Sequence, residues 1–176
     1  MSMNTMMKND NIALRPLEPT DLDTLYHWEN DCALWVVSDT VAPYSRAALW
    51  QYLEAYTGDI YAQRQLRLMI TLASDSTPVG TIDFLNFDPL NNRAELGLFI
   101  DSSHRGMGLG RQALELLTDY AREHIGLRQL YVYIALDNEV CLKLFDSYGY
   151  RRVGIIKSWV KRGNTYHDVV LLQMIL

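Results

Sequence analysis

The chain has 176 residues, a length that suits one domain with a single real core. Apolar residues make up 49% of it, which excludes disorder over most of its length. Lys plus Arg number 16 and Asp plus Glu 21, so the net charge is −5. A mildly acidic surface argues against nucleic acid as the main partner, and no apolar run approaches the length of a membrane span.

The polar opening stretch MSMNTMMKND lacks the apolar centre of a signal peptide and reads as a disordered lead, residues 1–10. A single domain is expected over residues 11–176, in the cytosol. IALRPLE (Ile12–Glu18) alternates apolar and polar side chains and predicts a strand. PTDLDTLYHWEND predicts a helix with Thr20 as N-cap and Leu22, Leu25, Tyr26 and Trp28 along it. SRAALWQYLEAY predicts a second helix, capped by Ser45, with Leu49, Trp50, Leu53 and Tyr56 at helical spacing.

Three strands follow: QLRLMITLA (Gln65–Ala73), VGTIDFLNF and RAELGLFI (Arg93–Ile100). Their short connections, SDSTP and DPLNN, predict an antiparallel meander. HRGMGLGRQAL then opens a helix from Gly108 to Ile125 with Leu109, Leu114, Leu117 and Tyr120 buried. QLYVYIAL is a strand, NEVCLKLFDSY a helix stopped by Gly149, and YRRVGIIKSWV and TYHDVVLLQMIL are two last strands around KRGN. Strand, helix and strand in the second half predict a parallel crossover inside a mixed sheet.

Cys32 and Cys141 lie far apart and outside any metal-ligand spacing, which fits a reducing compartment. His27, His104, His124 and His167 show no metal spacing either, and no metal is expected. The glycines of the loop carry more information. A strand, a glycine loop and a helix N-terminus make an anion site, because the first amides of a helix lack internal partners and sit at the positive end of its dipole. A Walker A loop needs Gly-Lys-Ser/Thr, which is absent. A dinucleotide loop needs G-x-G-x-x-G; here Gly106, Gly108 and Gly110 give G-x-G-x-G, and Asp137 lies too far on to be its acidic partner.

R-G-M-G-L-G resembles the R/Q-x-x-G-x-G/A acetyl-CoA loop of the GNAT superfamily of N-acetyltransferases, on Arg105, Gly108 and Gly110. RAELGLFI resembles the strand that leads into that loop. LYVYIALDNEVCLKLFDSYGY resembles the family's strand, Asn and final helix. LEPTDLDTLYHWEND and GNTYHDVVLLQMIL resemble the first helix and closing strand of the group of ribosomal-protein N-terminal acetyltransferases and spermidine acetyltransferases. The resemblance spans Ile12 to Leu176.

It implies an α/β (α+β) GNAT fold: a mixed, mostly antiparallel, seven-stranded twisted sheet, splayed between strands four and five near Phe99 and Tyr133, with about four helices. It implies acetyl-CoA held by Leu98, Phe99, Ile100, Arg105, Gly106, Met107, Gly108, Leu109, Gly110, Arg111, Asn138 and Phe145. It also implies direct transfer to a primary amine. That reaction needs a base for the amine, a donor for the oxyanion and an acid for the thiolate. Glu95 is the candidate base; a structural ion pair with Arg93 or another cation is the alternative. The oxyanion donor falls to a main-chain N–H at Leu98 or Phe99. Relatives carry Tyr where Phe145 stands, so Tyr148, one helical turn on, is the candidate acid, with Tyr133 as a further one. Glu29, Trp35, Tyr44 and Asp83 are the candidate acceptor contacts, with Asp31 and Asp39 nearby.

The expected acceptor is a small amine, a polyamine such as spermidine first. A ribosomal-protein N-terminus and an amino sugar or aminoglycoside stay open, as does a degenerate CoA-binding sensor. A nucleotide-binding oxidoreductase is disfavoured by the glycine spacing. Related proteins often pair strands or helices, so the resemblance admits a homodimer.

Overall fold

A computed structural model of the chain describes residues 6–38 and 40–176. Seven strands form one sheet: β1 (Ile12–Pro16), β2 (Leu66–Leu72), β3 (Pro78–Asp88), β4 (Arg93–Ile100), β5 (Gln129–Ala135), β6 (Arg151–Arg162) and β7 (Thr165–Ile175). Their order in the sheet is β1-β2-β3-β4-β5-β7-β6. Every neighbouring pair is antiparallel except β4 and β5. The expected meander is β2, β3 and β4, and the expected crossover links β4 to β5.

Among the described residues six α-helices accompany the sheet: α1 (Leu22–Glu29), α2 (Cys32–Ser38), α3 (Arg46–Ala55), α4 (Ile60–Gln63), α5 (Leu109–Tyr120) and α6 (Glu139–Tyr148). Helices α5 and α6 cover one face. There Leu109, Leu114, Leu117, Leu142 and Phe145 pack on Leu96, Leu130, Val132, Ile134 and Leu172 in the larger core. On the other face Leu25 and Trp28 of α1 and Leu53 of α3 close over Met69 of β2, with Phe99 of β4 beside them. Strand alternation sends Ala94 and Leu96 into the larger core and Phe99 into the smaller one, as the pleat requires.

Several boundaries depart from the sequence reading, each for a local reason. Thr20 does not cap α1. Pro19–Asp21 forms a 3-10 turn instead, and the Asp21 carboxylate accepts the Glu18 N–H (2.8 Å) and both Arg15 terminal nitrogens (2.8 and 2.7 Å). Helix α5 stops at Tyr120, where the winding widens into a π-turn over Ala121–Ile125, closed by Gly126 at φ 77°. Helices α2 and α4 were not expected, because seven and four residues are too short to show a helical period. Ser45 caps α3 as expected, its Oγ accepting Ala48 N–H at 3.1 Å. Of the expected disordered lead, residues 1–5 lie outside the described residues. Its other end is ordered: Lys8 pairs with Ala13, Leu14 N–H donates to Met7 C=O (2.7 Å), and Asn9 and Asn11 both donate to the Gln112 side chain.

Gly80 of β3 is where the sheet tolerates no side chain, because a Cβ there would run into the Phe99 carbonyl oxygen of β4. Gly80→Ala therefore lowers stability by about 2 kcal/mol, whereas Gly154→Ala, with nothing within 4 Å of the added methyl, shifts it by less than about 0.5 kcal/mol. Urea unfolding of the two variants checks both values.

Candidate active site at the strand split

Strands β4 and β5 pair over only three positions, Arg93 with Gln129, Ala94 with Leu130 and Glu95 with Tyr131. Beyond these the strands part. Leu96–Ile100 keeps its pairing with β3, and Val132–Ala135 keeps its pairing with β7. One edge of each strand faces the gap, and both strands run toward a helix start at the same end. Parallel strands that separate in this way leave a crevice at their carboxyl ends, flanked by the positive ends of two helices.

The loop after β4 begins with Asp101, whose carboxylate caps the short turn Ser102–His104. Arg105 Nε donates to Ile100 C=O (2.9 Å) and ties the loop back to the end of β4. Gly106 and Gly108 both have positive φ, 78° and 76°, with no atom within 4 Å of where a Cβ would stand. Two left-handed positions in three residues turn the chain sharply and leave Met107 exposed between them. Gly108 is the N-cap of α5 and has no side chain to satisfy the first amides, so the N–H groups that open the helix remain available to an anion. Gly110 differs: its missing side chain faces Leu98, Ile100 and Leu144 at 3.5–3.6 Å. The side chains of Leu98 and Ile100 thus pack beneath α5, as does that of Leu109, and these residues offer the crevice only backbone.

Asn138 caps α6 through Oδ1, which accepts Cys141 N–H at 3.2 Å. Arg111 reaches from α5 to α6, donating to Ser147 Oγ (3.2 Å) and lying over the Tyr148 ring at 5.7 Å. Tyr148, the candidate acid, faces Arg111 and Thr118 of α5, and burial raises its pKa. Phe145 is displaced from its expected contact with a bound molecule: it is core, packed edge-on against Tyr150 at 4.9 Å. Tyr133 is exposed and meets Tyr131 edge-on at 5.8 Å, and both line a cleft of about 210 Å³ at the base of the split. Glu95 has no ion pair with Arg93, which binds Asp88 instead; its carboxylate accepts from Asn86 Nδ2 at 2.8 Å.

On the face under α1 and α3, Arg67, Asp83 and Gly97 stand in one cross-strand row. Arg67 Nε donates to Asp83 Oδ1 (2.6 Å) and Arg67 Nη1 to Glu29 Oε1 (3.0 Å). Burial opposes the charge on Arg67, but Asp83, Tyr52 and Glu29 together outweigh it and the guanidinium pKa lies above its ordinary value. Burial pushes Asp83 up, and Arg67 offsets only part of that. The Tyr56 hydroxyl accepts Arg67 N–H and donates to Arg67 C=O, and the Tyr52 hydroxyl is buried without a partner, its pKa pushed up to about 12. Two of the expected acceptor carboxylates, Glu29 and Asp83, are therefore not free charges. The residue that masks them was missed. Its signal was there: one charged residue inside the mostly apolar LRLMITL, two strands from the split.

Trp35 and Tyr44 fold back on the first helix. Trp35 Nε1 donates to Glu29 C=O (2.9 Å), and Tyr44 exchanges hydrogen bonds with Asn30. Asp31 caps α2 by accepting Ala33 N–H, and Asp39 lies outside the described residues. A surface depression of about 560 Å³ lies against the same helix, lined by Asp23, Tyr26, His27, Asn30 and Arg46 among others. Among the described residues no three His, Cys, Asp or Glu side chains gather as metal ligands, and no helix is long and apolar enough to cross a membrane.

The acetyltransferase (GNAT) domain family matches residues 11–151. The chain is 29% identical to the ribosomal-protein-serine acetyltransferase of Escherichia coli over 65% of this chain and 64% of that protein. It is 25% identical to the spermidine N(1)-acetyltransferase of the same species, over 79% and 72%. The crystal structure of spermidine N-acetyltransferase from Vibrio cholerae in complex with CoA and spermine superimposes with a TM-score of 0.84 at 21% identity, over 95% of this chain and 96% of that one.

Opposite responses are expected from two loop glycines. Gly108→Ala forces a Cβ into the left-handed region and destabilises by about 1 kcal/mol. Gly110→Ala meets only ordinary contacts and favours the helix, so it is neutral or stabilising by about 0.5 kcal/mol. Thermal unfolding reads both signs. The cysteines also separate. Burial pushes the Cys141 thiol up to about 11, while Cys32 is exposed. At pH 8 iodoacetamide alkylates Cys32 at least about tenfold faster, because the thiolate is the nucleophile; peptide mass mapping over time measures the ratio.

Proposed function

This chain belongs to the acetyltransferase (GNAT) domain family, and we propose that it transfers an acetyl group from acetyl-CoA directly to a primary amine. The observation that carries the reading is the loop of two left-handed glycines that opens α5 beside the parallel strand split. The residues present fit the cosubstrate. The amides from Gly106 to Arg111 suit its pyrophosphate, and Arg105 adds positive charge. The unpaired edge of β4 over Leu98–Ile100 suits the amide groups of its pantetheine arm, as an added strand would. Asn138 stands across the split, on the loop after β5, and can contact the arm while it caps α6.

Acetyl-CoA supplies an activated thioester carbonyl. The chain then has two tasks, to stabilise the oxyanion and to manage protons. A main-chain N–H of β4 at Leu98 or Phe99 serves the first, since a preorganised donor of this kind contributes roughly 100- to 1,000-fold in rate. We assign no tyrosine of α6 to the leaving thiolate, because Phe145 has no hydroxyl and the Tyr148 ring lies against Arg111 of α5. The thiolate therefore leaves without a tyrosine acid from that helix.

A polyamine such as spermidine is the first acceptor to test. The net charge of −5 and the likeness to spermidine acetyltransferases support it. One observation favours a second acceptor, a protein N-terminus. Arg67 lies between Glu29 and Asp83 and leaves the three groups with one net negative charge, enough for a single ammonium and little for a polycation.

Thiol release from acetyl-CoA, measured against spermidine, spermine, simple diamines, aminoglycosides and short peptides, tests the reading. Turnover is expected with at least one amine class. Gly108→Ala should weaken CoA binding by about tenfold or more, since misaligning the amides loses charge-assisted hydrogen bonds. CoA binding without turnover of any amine would overturn the enzyme reading in favour of a sensor.

A further inference from the structure

The cluster under α1 and α3 is placed where a fold has little need of it. A buried Arg–Asp–Glu set stabilises a protein no better than apolar side chains of the same volume. Asp83 is nevertheless almost wholly buried, and so is the Tyr52 hydroxyl near it, while Tyr56 is half-buried. The cluster lies one strand from the split. Asp83 pairs with Gly97, the second residue of β4 beyond the last pair with β5. A Cβ on Gly97 would stand 3.2 Å from Asp83 Oδ2, so the absent side chain is what lets this carboxylate lean across β4. Arg67 Nε binds the other oxygen, Oδ1, which leaves Oδ2 toward Gly97. A carboxylate oxygen from β3 thus lies beside Gly97, on the stretch of β4 whose other edge is unpaired.

We propose that Asp83, and not Glu95, takes the proton that the acceptor amine must lose before it attacks. The proposal rests on the acetyl-transfer reading above. An ammonium N–H bond breaks and an O–H bond forms at Asp83 Oδ2. The freed lone pair attacks the acetyl carbonyl, and the C–S bond breaks with its electron pair going to sulfur. The second N–H proton leaves the adduct and ends on the thiolate, while Asp83 returns its proton to solvent.

The surroundings favour this assignment. Arg67 of β2, Glu29 of α1, Tyr52 and Tyr56 of α3 and Gln65 ahead of β2 all face Asp83, and Glu95 is the next carboxylate along β4. Burial together with Glu29 raises the affinity of Asp83 for a proton, and Arg67 limits the rise, which brings a carboxyl group nearer to neutral pH. Glu95 makes its hydrogen bond with Asn86 at an exposed position. Arg67 is the positioning residue: it holds Oδ1 and sets the charge that Oδ2 carries.

The test is the pH profile of kcat/KM for the best amine of the panel, in the wild type and in Asp83→Asn, Glu95→Gln and Arg67→Lys, with CoA binding as a check of folding. Asp83→Asn is expected to lower kcat by about 100-fold or more, to abolish the acidic limb and to leave CoA binding intact. Glu95→Gln is expected to keep the limb and to lose less than about tenfold. Arg67→Lys retains the charge but loses the forked grip, so Asp83 binds its proton more tightly and the limb moves up by about half a pH unit or more. An Asp83→Asn enzyme that keeps its kcat and its limb, or a Glu95→Gln enzyme that loses the limb, overturns the proposal and leaves acetyl transfer standing. If Asp83→Asn fails to bind CoA, the Arg67→Lys profile decides, and an unmoved limb overturns the proposal. A wild type that turns over no amine overturns the acetyl-transfer reading and this assignment with it.

Discussion

Three residue pairs hold β4 to β5, and the rest of the molecule depends on what happens after the third. Past Glu95 and Tyr131 the two parallel strands separate, although each keeps its other neighbour. Exposed N–H and C=O groups on a sheet edge are costly when buried and reactive toward any added strand. Here they are left facing a crevice with a helix N-terminus at the end of each strand. The split therefore supplies a strand edge, an anion site and a gap between two helices in one place. Elsewhere in the sheet each edge is turned to other ends: β1 is flanked by the Lys8 turn, and β6 is interrupted by register shifts at Arg152/Gly154 and Ile156/Val160.

The two cores brace this gap from opposite sides. Leu98 and Ile100 are pinned beneath α5, so the first turn of that helix cannot drift from the end of β4. Phe99 points the other way and locks edge-on against Trp28 of α1 at 5.2 Å. Asn9 and Asn11 hold Gln112 in the first turn of α5, and Arg111 ties the same turn to α6. A glycine loop is entropically loose on its own. Its geometry is held because the elements at both of its ends are fixed by packing and by hydrogen bonds.

Electrostatics divide the two faces of the split. The loop face is built from backbone dipoles and offers partial positive charge. The opposite face holds Glu29, Arg67 and Asp83, where the arginine cancels one of the two carboxylate charges. Carboxylates counted along a chain do not show whether they meet an arginine, and the acidic character expected of the acceptor side is partly spent internally.

The strand pattern, the loop and the capped helices were legible because they rest on local chemistry. Alternation marked the β2 to β4 meander, Ser45 and Asn138 announced helix starts, Gly149 a helix end, and the spaced Gly106, Gly108 and Gly110 announced the loop. The family likeness was carried by those same short stretches. What stayed hidden depends on partners distant in the chain. Tyr148 was chosen by helical spacing from Phe145, but the rotation of α6 against α5 sets its ring on Arg111. Glu29 and Asp83 read as acceptor contacts with no internal partner in view, although Arg67 reaches them from positions 38 and 16 residues away. The one-dimensional pattern specifies which residues adopt each element and which face each side chain takes. Which face meets which, and so which charges cancel and which hydroxyls are left unpaired, is set by cross-strand register and by how helices seat on the sheet.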